Sequence, residues 1–527
     1  PTHIHGDDGL GNIGVPDVVG VPLDPRPAHQ FIIDTVKAHP GEVTLIAVGR
    51  MTNLANAVKA APEIAGLVKE VIIMGGAVDV PGNITPAAEA NIHGDPEAAD
   101  YIMIAPWKVV VVGLDVTLKT TMSRKELAEL AEKGGELRDL VVAAGLMLTM
   151  YSDESHAAAR RYLARAQAMT TGANAREQAW LAAIKSWIDG DLDRSAATFE
   201  KIVAGWPRDL LAAKLAQIHA FNRGDSESLL RIGEQIASAN DNRFVLAMHA
   251  FGLEESNLYP QAEETGRRAL QVNPRVPWAV HAVAHVMEMQ GRFEEGSAWL
   301  RQHQASWAEG NGFSGHLWWH KALFRLEALD FAGVLRLVDT HLSGDALQIG
   351  LQRVDAAAML WRLHLLGVDV EGHFRALLDG WALDDSQAGY YAFNDVHALI
   401  ALLGSGDIAR GEAWVARCAE RAMTADDARR VNHQMAREVG LPLMRGLLSL
   451  ARGDADGAAD TLYPVRAVAQ RFGGSHAQRD LIDLTLLAAC AAPGGPRTLG
   501  RALLNERSLA RGATPQVEHW REHLGLP

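Results

Sequence analysis

The feature that most limits how this chain can fold is a turn that recurs every 33 or 34 residues in its middle part. Turn-forming pairs begin at Gly190, Gly224, Asn257 and Gly291. The segments between them carry helical patterns and almost no β signal. A repeat of this length accommodates two short helices, which bury their apolar faces by stacking on the next pair. The spacing therefore predicts an all-α solenoid over residues 152–527.

Composition divides the chain near the start of this repeated region. Residues 1–150 hold one of the thirteen tryptophans, five of the twenty-one histidines and neither of the two cysteines. Val, Ile, Gly and Pro are frequent in that part, whereas Ala, Leu, Arg and Trp are frequent in residues 152–527. We therefore expect two modules, residues 1–150 and residues 152–527.

Charge and hydropathy exclude several classes of function. The net charge of −14 argues against a nucleic-acid partner, which would require a basic face. Two cysteines are too few for a disulfide scaffold or a cysteine-built metal cluster. No apolar run reaches the roughly 18 residues of a membrane span, and no signal peptide is present, so a cytoplasmic location without a membrane partner is expected. Because the first residue is Pro1, we expect a fragment or a processed form.

Residues 1–150 show the alternation typical of a parallel α/β module. The apolar runs Val43–Val48, Val71–Met74 and Val109–Val112 predict strands, and Asn53–Lys59 and Asp95–Ile102 predict helices between them. Such a sheet binds ligands at the carboxyl ends of its strands. The polar residues that follow each strand are therefore the candidates for a site.

Six stretches of this first module, taken in order, resemble one enzyme family. They are His5–Gly11, Gly49–Ala55, Met74–Ala77, Gly82–Asn91, Asp95–Ala99 and Gly113–Thr117. Together they resemble the inosine-uridine-preferring nucleoside hydrolases. The resemblance implies hydrolysis of a ribonucleoside N-glycosidic bond by water activated at a calcium ion. It also implies that the Thr52 carbonyl binds calcium and that Asn83, Glu89 and Asn91 hold the ribose.

The first module departs from that family at the residues that bind calcium. The family's N-terminal Asp-x-Asp-x-x-x-Asp-Asp motif is absent, and nothing after Thr117 resembles its His-Asp pair. One carbonyl cannot hold calcium, which takes about six to eight oxygen ligands. We therefore expect a partial module that is inactive as it stands. The alternative is a nucleosidase, with calcium as its cofactor, completed by sequence upstream of Pro1.

Several short sequence motifs in the second module indicate another family. They are Ala250–Glu255, Trp278–His285, Met287–Arg292, His316–His320, Asn394–Ala398 and Gly473–Asp480. Over residues 155–527 the chain resembles the tetratricopeptide repeat protein 38 family. The resemblance implies a tetratricopeptide-type solenoid and carries no assigned reaction. A fusion of two originally separate modules is the expected organisation.

Four histidines of the second module are related by the repeat. His281 and His285 are four residues apart, as are His316 and His320, and the two pairs are separated by 35 residues. Each pair shares one helix face, and Glu288 extends the first pair. The repeat positions place both pairs on the concave surface, together with Trp278, Glu254 and Glu255.

Three interpretations of this group remain open. His281, His285 and Glu288 are suitable ligands for a zinc-like divalent metal. The same group, with His316 and His320, is also suited to acid–base catalysis or to binding a small-molecule or peptide ligand without any cofactor. The third interpretation is hydrogen-bonded packing. If the chain is an enzyme, we expect either a nucleoside hydrolase or an unassigned activity in this concave pocket.

Two further pairs are candidates for the same concave centre. Asp395 and His397 are two residues apart, which favours a helix entry with Asn394 or Asp395 as the cap. His476 and Arg479 follow Ser475, which is expected to cap the next helix. Cys418 and Cys490 lie in apolar helical patterns, which favour buried small hydrophobic residues over nucleophiles.

Overall fold

The computed structural model describes residues 24–117, 136–149, 153–240, 242–308, 313–381, 383–424 and 431–526. The stretch His5–Gly11 lies outside these residues, as does the expected module junction at residues 150–152. The chain divides into two compact units, Pro1–Lys133 and Gly134–Pro527, which are described separately below.

The first unit contains a three-stranded parallel sheet. Its elements are α1 (Ala28–Ala38), β1 (Thr44–Ala47), α2 (Thr52–Ala60), a 3-10 turn (Pro62–Gly66), β2 (Glu70–Met74), α3 (Ala90–His93), α4 (Pro96–Ile104), β3 (Val109–Val112) and α5 (Leu114–Thr117). The strand order is β1-β2-β3, with Ile46 opposite Ile72 and Ile72 opposite Val110. The three expected strands and the parallel α/β class are confirmed.

One face of this sheet forms the core of the first unit. Val71 and Ile73 are fully buried and belong to one apolar cluster with Val36 of α1. On the opposite face, Ile46 and Val110 remain 66% and 38% exposed. Parallel sheets are normally covered on both faces, so the described residues supply only part of the layers that such a sheet requires.

The second unit is an all-α solenoid of tetratricopeptide type. Its first helices are α6 (Glu136–Leu148), α7 (Asp153–Gln167), α8 (Ala175–Ile188), α9 (Leu192–Gly205), α10 (Leu210–Asn222), α11 (Ser226–Ala239), α12 (Arg243–Glu255), α13 (Tyr259–Val272), α14 (Pro277–Met289), α15 (Phe293–Gln302), α16 (Gln304–Trp307), α17 (Ser314–Glu327) and α18 (Phe331–His341). Successive helices pack on one another, as expected for stacked helix pairs.

The later helices of this unit are separated by less regular segments. They are α19 (Gly350–Leu365), α20 (Glu371–Trp381), α21 (Ala392–Gly404), α22 (Ile408–Met423), α23 (Val431–Met435), α24 (Leu441–Ala451), α25 (Ala455–Arg466), α26 (His476–Ala491), α27 (Arg497–Arg511) and α28 (Pro515–His523). Three 3-10 turns, Gly344–Gln348, Asp385–Gln387 and Ala469–Phe472, and a π turn, Ala436–Gly440, lie between them.

At the turn between α10 and α11, two adjacent residues perform two different tasks. Gly224 adopts a positive φ of 65°, the left-handed conformation that ends α10. The next residue, Asp225, caps α11 by accepting a 3.0 Å hydrogen bond from the backbone N–H of Ser228. Positive φ values also occur at the other expected turns, Gly190, Asn257, Gly291, Gly406 and Gly453. The turn prediction is therefore confirmed.

The end of the second unit returns to its middle. Helix α26 contacts α14 and α19, and α28 contacts α17. The Trp361 indole N–H donates a 3.0 Å hydrogen bond to the Thr485 hydroxyl, and Arg511 donates one of 3.1 Å to the Glu288 carbonyl. These contacts cover part of the concave surface and explain why its polar residues are buried.

Candidate functional site

The two histidine pairs meet inside the helical unit. His281 and His285 lie on α14, His316 and His320 lie on the adjacent α17, and each is at most 5% exposed. The Nε2 atoms of His281 and His285 are 2.9 Å apart, and those of His316 and His320 are 3.3 Å apart. One ring nitrogen from each residue lies within 4.8 Å of the others. We call these four residues the histidine cluster.

Three members of the histidine cluster have a carboxylate behind the ring. His316 Nδ1 is 2.7 Å from Asp355 Oδ2. His320 Nδ1 is 3.0 Å from Glu288 Oε2. His285 Nδ1 is 3.4 Å from Glu254 Oε2, an ion-pair contact.

These carboxylates come from α19, α14 and α12, so three helices support the cluster from outside. The fourth member, His281, differs from the others. Its Nδ1 has no hydrogen-bond partner among the described residues. The side chain is instead held by ring contacts, with centroid distances of 4.8 Å to Phe313 and 5.5 Å to Phe251.

Burial and neighbouring charges together shift the pKa values of these groups. Burial, reinforced by the neighbouring histidines, holds the pKa of His281 and His320 well below the usual value. Burial also disfavours the charged form of His285, but the negative charge of Glu254 outweighs it and raises the pKa of His285. Burial raises the pKa of Glu288 to about 7. The cluster therefore mixes neutral rings with one ring that favours a positive charge.

The histidine cluster borders a cavity of about 410 Å³. Aromatic walls surround much of it, formed by Phe221, Phe251, Trp278, Phe313, Tyr391 and Phe393. Polar groups are supplied by Lys214, Gln217, Asn222, Asn394, Ser475 and Gln478. Three cluster members, His281, His285 and His316, line the cavity, whereas His320 and Glu288 lie behind them. An apolar wall with a few convergent polar groups is typical of small-ligand sites.

Lys214 is the cavity residue that sequence reasoning missed. Its ammonium lies 3.5 Å from the centroid of the Trp278 indole, which in turn stacks on Phe313 at 4.1 Å. Burial lowers the pKa of Lys214 to about 8. Among the described residues, the structure places no carboxylate within ion-pair distance of this ammonium. A single lysine in a helical pattern has no local signal that would have identified it.

A second polar group joins α12 to α26. His476 Nδ1 is 3.7 Å from Glu254 and 3.6 Å from Glu255, and Arg479 Nη2 is 3.5 Å from Glu255. Burial, together with the charge of Glu254, raises the pKa of Glu255. Glu255, His476 and Arg479 face a separate cavity of about 570 Å³. The sequence-predicted residues His476 and Arg479 thus meet Glu254 and Glu255 but stand outside the aromatic cavity.

Asp395 and His397 are placed differently from the expected helix entry. Helix α21 begins at Ala392, so the prediction of a cap at Asn394 or Asp395 was wrong. Asp395 accepts a 2.9 Å hydrogen bond from the Gly389 N–H, and His397 Nδ1 lies 2.8 Å from the Phe393 carbonyl. Both side chains are buried and neither lines the aromatic cavity.

Two smaller expectations about this unit are confirmed. Ser475 caps α26 and forms a capping box with Gln478. Cys418 and Cys490 are buried, and burial raises the pKa of the Cys490 thiol to about 11. Neither thiol is therefore suited to act as a nucleophile.

The residues expected to bind ribose form hydrogen bonds with backbone groups of the first unit. Glu89 Oε2 accepts hydrogen bonds of 3.1 Å from Gly76 N–H and 2.9 Å from Asn91 N–H. Asn91 Nδ2 donates a 3.0 Å hydrogen bond to the Met74 carbonyl, and Asn83 Oδ1 accepts one of 2.9 Å from Ala90 N–H. The three side chains surround the loop after β2, at the carboxyl end of the sheet.

The described part of the first unit does not fit a calcium ion. Thr52 begins α2, and its hydroxyl donates to Asp95 at 2.5 Å. Among the described residues 24–117, no three His, Cys, Asp or Glu side chains converge, whereas calcium takes about six to eight oxygen ligands. The described residues therefore lack most of the oxygen ligands that the resemblance implies.

Comparisons with known proteins match the N-terminal part of the chain to one family. Residues 1–189 match the family model described as inosine-uridine preferring nucleoside hydrolase. A probable uridine nucleosidase 1 from Oryza sativa subsp. japonica is 41% identical over 133 residues, covering 25% of this chain and 41% of that protein. The inosine-uridine preferring nucleoside hydrolase from Leishmania major is 43% identical over 136 residues, covering 25% and 43%. The chain thus spans about two-fifths of the length of these curated relatives.

Solved structures show corresponding similarities. A purine-preferring ribonucleoside hydrolase from Gardnerella vaginalis is 34% identical, with 33% of this chain and 49% of that chain covered and a TM-score of 0.23. A tetratricopeptide repeat protein from Parabacteroides merdae is 14% identical, with 59% and 98% covered and a TM-score of 0.28. No helix among the described residues is long and apolar enough to cross a membrane. By sequence, the N-terminal part of this chain is nucleoside-hydrolase-like, and it is followed by a helical repeat region.

Proposed function

We propose that the helical unit binds a small organic anion with an apolar body in the aromatic cavity. The observation that carries this proposal is Lys214, whose ammonium stands in the cavity without a carboxylate partner among the described residues. An anion stabilises a partly desolvated cation more strongly than it would in water, because the local dielectric constant is lower than that of water. Trp278 and Phe313 provide flat apolar contacts beside the ammonium.

The size of the cavity favours a small molecule over a peptide. Its volume of about 410 Å³ lies within the range of roughly 300–1,000 Å³ that small-molecule sites occupy. The return of α26 against α14 and α19 narrows the concave surface on which tetratricopeptide solenoids would otherwise hold an extended chain. We therefore assign the pocket to a compact ligand whose acidic group meets Lys214.

A matched pair of probes tests this assignment. We expect 2-naphthoate to bind the full chain at least tenfold more tightly than the neutral 2-naphthalenemethanol, measured by isothermal titration calorimetry. Lys214→Met should remove this preference, because the charge is lost while most of the apolar stem is kept. Lys201→Met, at an exposed lysine of α9, serves as the control. Equal affinities for the two probes, or an unchanged preference in Lys214→Met, would contradict the proposal.

A second proposal concerns the first unit, which is similar in sequence to nucleosidases. The 41% identity over 133 residues concerns enzymes that are named for uridine cleavage, so ribonucleoside hydrolysis is the activity to test. We propose that this unit is inactive in the present chain, because its described residues do not assemble a calcium site. Glu89 is moreover 2% exposed and bonded to backbone N–H groups.

A measurement of ribose release distinguishes an inactive first unit from a working nucleosidase. We expect the 527-residue chain to release no ribose from inosine or uridine in the presence of calcium, measured by a reducing-sugar assay. A calcium-dependent rate that falls in Glu89→Ala would show that the unit is a working nucleosidase. His219→Ala, in the helical unit, is the control for that variant because it leaves the first unit unchanged.

A further inference from the structure

We propose that His281, His285, His316 and His320 form a site for one late first-row divalent ion of the zinc class. The site would lie at the wall of the aromatic cavity and would use the Nε2 atom of each ring. It is independent of the organic-anion proposal, because the evidence for it is the arrangement of the imidazoles alone. Imidazole nitrogens suit zinc, copper, nickel and iron, whereas calcium and magnesium prefer oxygen ligands.

The nitrogen separations match the dimensions of such a site. The two Nε2–Nε2 distances within the pairs are 2.9 Å and 3.3 Å. Four nitrogens at about 2.0–2.1 Å from a tetrahedral zinc ion would be roughly 3.3 Å from one another. One ring nitrogen from each of the four residues lies within 4.8 Å of the others, so side-chain movements would bring the four nitrogens to this geometry.

The carboxylates behind the rings determine which nitrogen carries the proton. Asp355 and Glu288 lie at hydrogen-bond distance from the Nδ1 atoms of His316 and His320, so each Nδ1 is the natural donor. The two Nε2 atoms then face each other at 3.3 Å with their lone pairs. Two lone pairs at this distance repel unless a proton or a metal ion lies between them. Metal-binding histidines typically show this arrangement, with the far ring nitrogen bonded to a carboxylate.

The structure gives Glu288 a different role from the metal ligand that the sequence predicts. The sequence pattern placed it among the metal ligands with His281 and His285. In the structure its Oε2 is 3.0 Å from His320 Nδ1, on the side of the ring away from the cluster. Glu288 is therefore a positioning residue for His320, as Asp355 is for His316. The second histidine pair supplies the ligands in place of Glu288.

Metal titration of the full chain tests the proposal directly. The protein is stripped with a chelator, confirmed to be folded by circular dichroism, and titrated with Co²⁺ and then Zn²⁺. We expect one Co²⁺ per chain with visible d–d absorption bands, displaced by one Zn²⁺. The double variant His285→Ala/His320→Ala should lose at least 100-fold in affinity. His219→Ala is the matched control, because His219 is also fully buried and neither of its ring nitrogens has a hydrogen-bond partner among the described residues.

A milder variant keeps the test valid if the double variant fails to fold. Asp355→Asn retains the shape of the side chain and should weaken Co²⁺ binding by about 10–100-fold. Binding of less than 0.1 equivalent of Co²⁺ by the folded wild-type chain would overturn the proposal. So would unchanged binding in both the double variant and Asp355→Asn. A loss of binding in His476→Ala, with the double variant unaffected, would instead assign the ion to the group formed by Glu254, Glu255 and His476.

Discussion

Alanine at Gly224 should lower the free energy of unfolding of the helical unit much more than alanine at Gly406. Both glycines have positive φ, of 65° and 85°, so both substitutions carry a left-handed backbone penalty of about 1–2 kcal/mol. A β-carbon at Gly406 would meet no atom within 4 Å. A β-carbon at Gly224 would lie 1.5 Å from the carbonyl oxygen of Gln470, so the backbone there must move.

The difference in the free energy of unfolding between Gly224→Ala and Gly406→Ala measures how strongly the segment around Gln470 packs against the α10–α11 turn. Displacing packed backbone adds about 1–3 kcal/mol to the conformational penalty. We therefore expect a total loss of roughly 3 kcal/mol for Gly224→Ala and about 1 kcal/mol for Gly406→Ala. Guanidinium denaturation followed by circular dichroism at 222 nm gives both values. Equal losses would mean that the segment around Gln470 does not pack against the α10–α11 turn.

Removal of the Asp480 carboxylate is expected to have an equally large effect. Asp480 Oδ1 lies 2.7 Å from Arg507 and 3.3 Å from Arg511, whose residues are 8% and 6% exposed. Burial disfavours the charged carboxylate, but the two guanidinium groups outweigh it and hold the pKa of Asp480 well below its usual value. In Asp480→Ala both guanidinium groups lose this partner while still buried. The expected loss is about 3–5 kcal/mol.

An exposed ion pair provides the control for Asp480→Ala. Glu412 and Arg452 are 2.5 Å apart, but their side chains are 46% and 54% exposed. Glu412→Ala should therefore change the free energy of unfolding by less than about 1 kcal/mol. Denaturation of both variants in the same buffer makes the comparison. A loss in Asp480→Ala no larger than that in Glu412→Ala would contradict the buried-network interpretation.

Local sequence patterns were sufficient for the parts of the fold that depend on local interactions. The strands around Ile46, Ile72 and Val110 were predicted because continuous apolar runs bounded by glycine have few alternatives. The turns were predicted because turn-forming pairs such as Gly224 and Asp225 recur every 33 or 34 residues in the sequence.

The features that were missed depend on residues distant in sequence. Asp355 reaches His316 across 39 residues, and nothing near either residue indicates this contact. The start of α21 was misplaced for the same reason. Its first N–H, that of Ala392, donates a 2.9 Å hydrogen bond to the side chain of Asn432, so the cap comes from another part of the chain. The histidine pairs were recognisable because the repeat duplicates them, whereas their supporting carboxylates are not duplicated.

The return of the C-terminal helices to α14, α17 and α19 also bears on how the helical unit gains and loses structure. Open repeat arrays unfold in stages from their ends, because each repeat contacts only its neighbours. Here the final helices contact the middle of the array, so the end cannot fray without exposing the centre. The close approach of Gly224 and Gln470 also limits the number of helices between them. Insertion of one repeat would move these two residues out of contact. We therefore expect the unit to unfold as one cooperative block of fixed size.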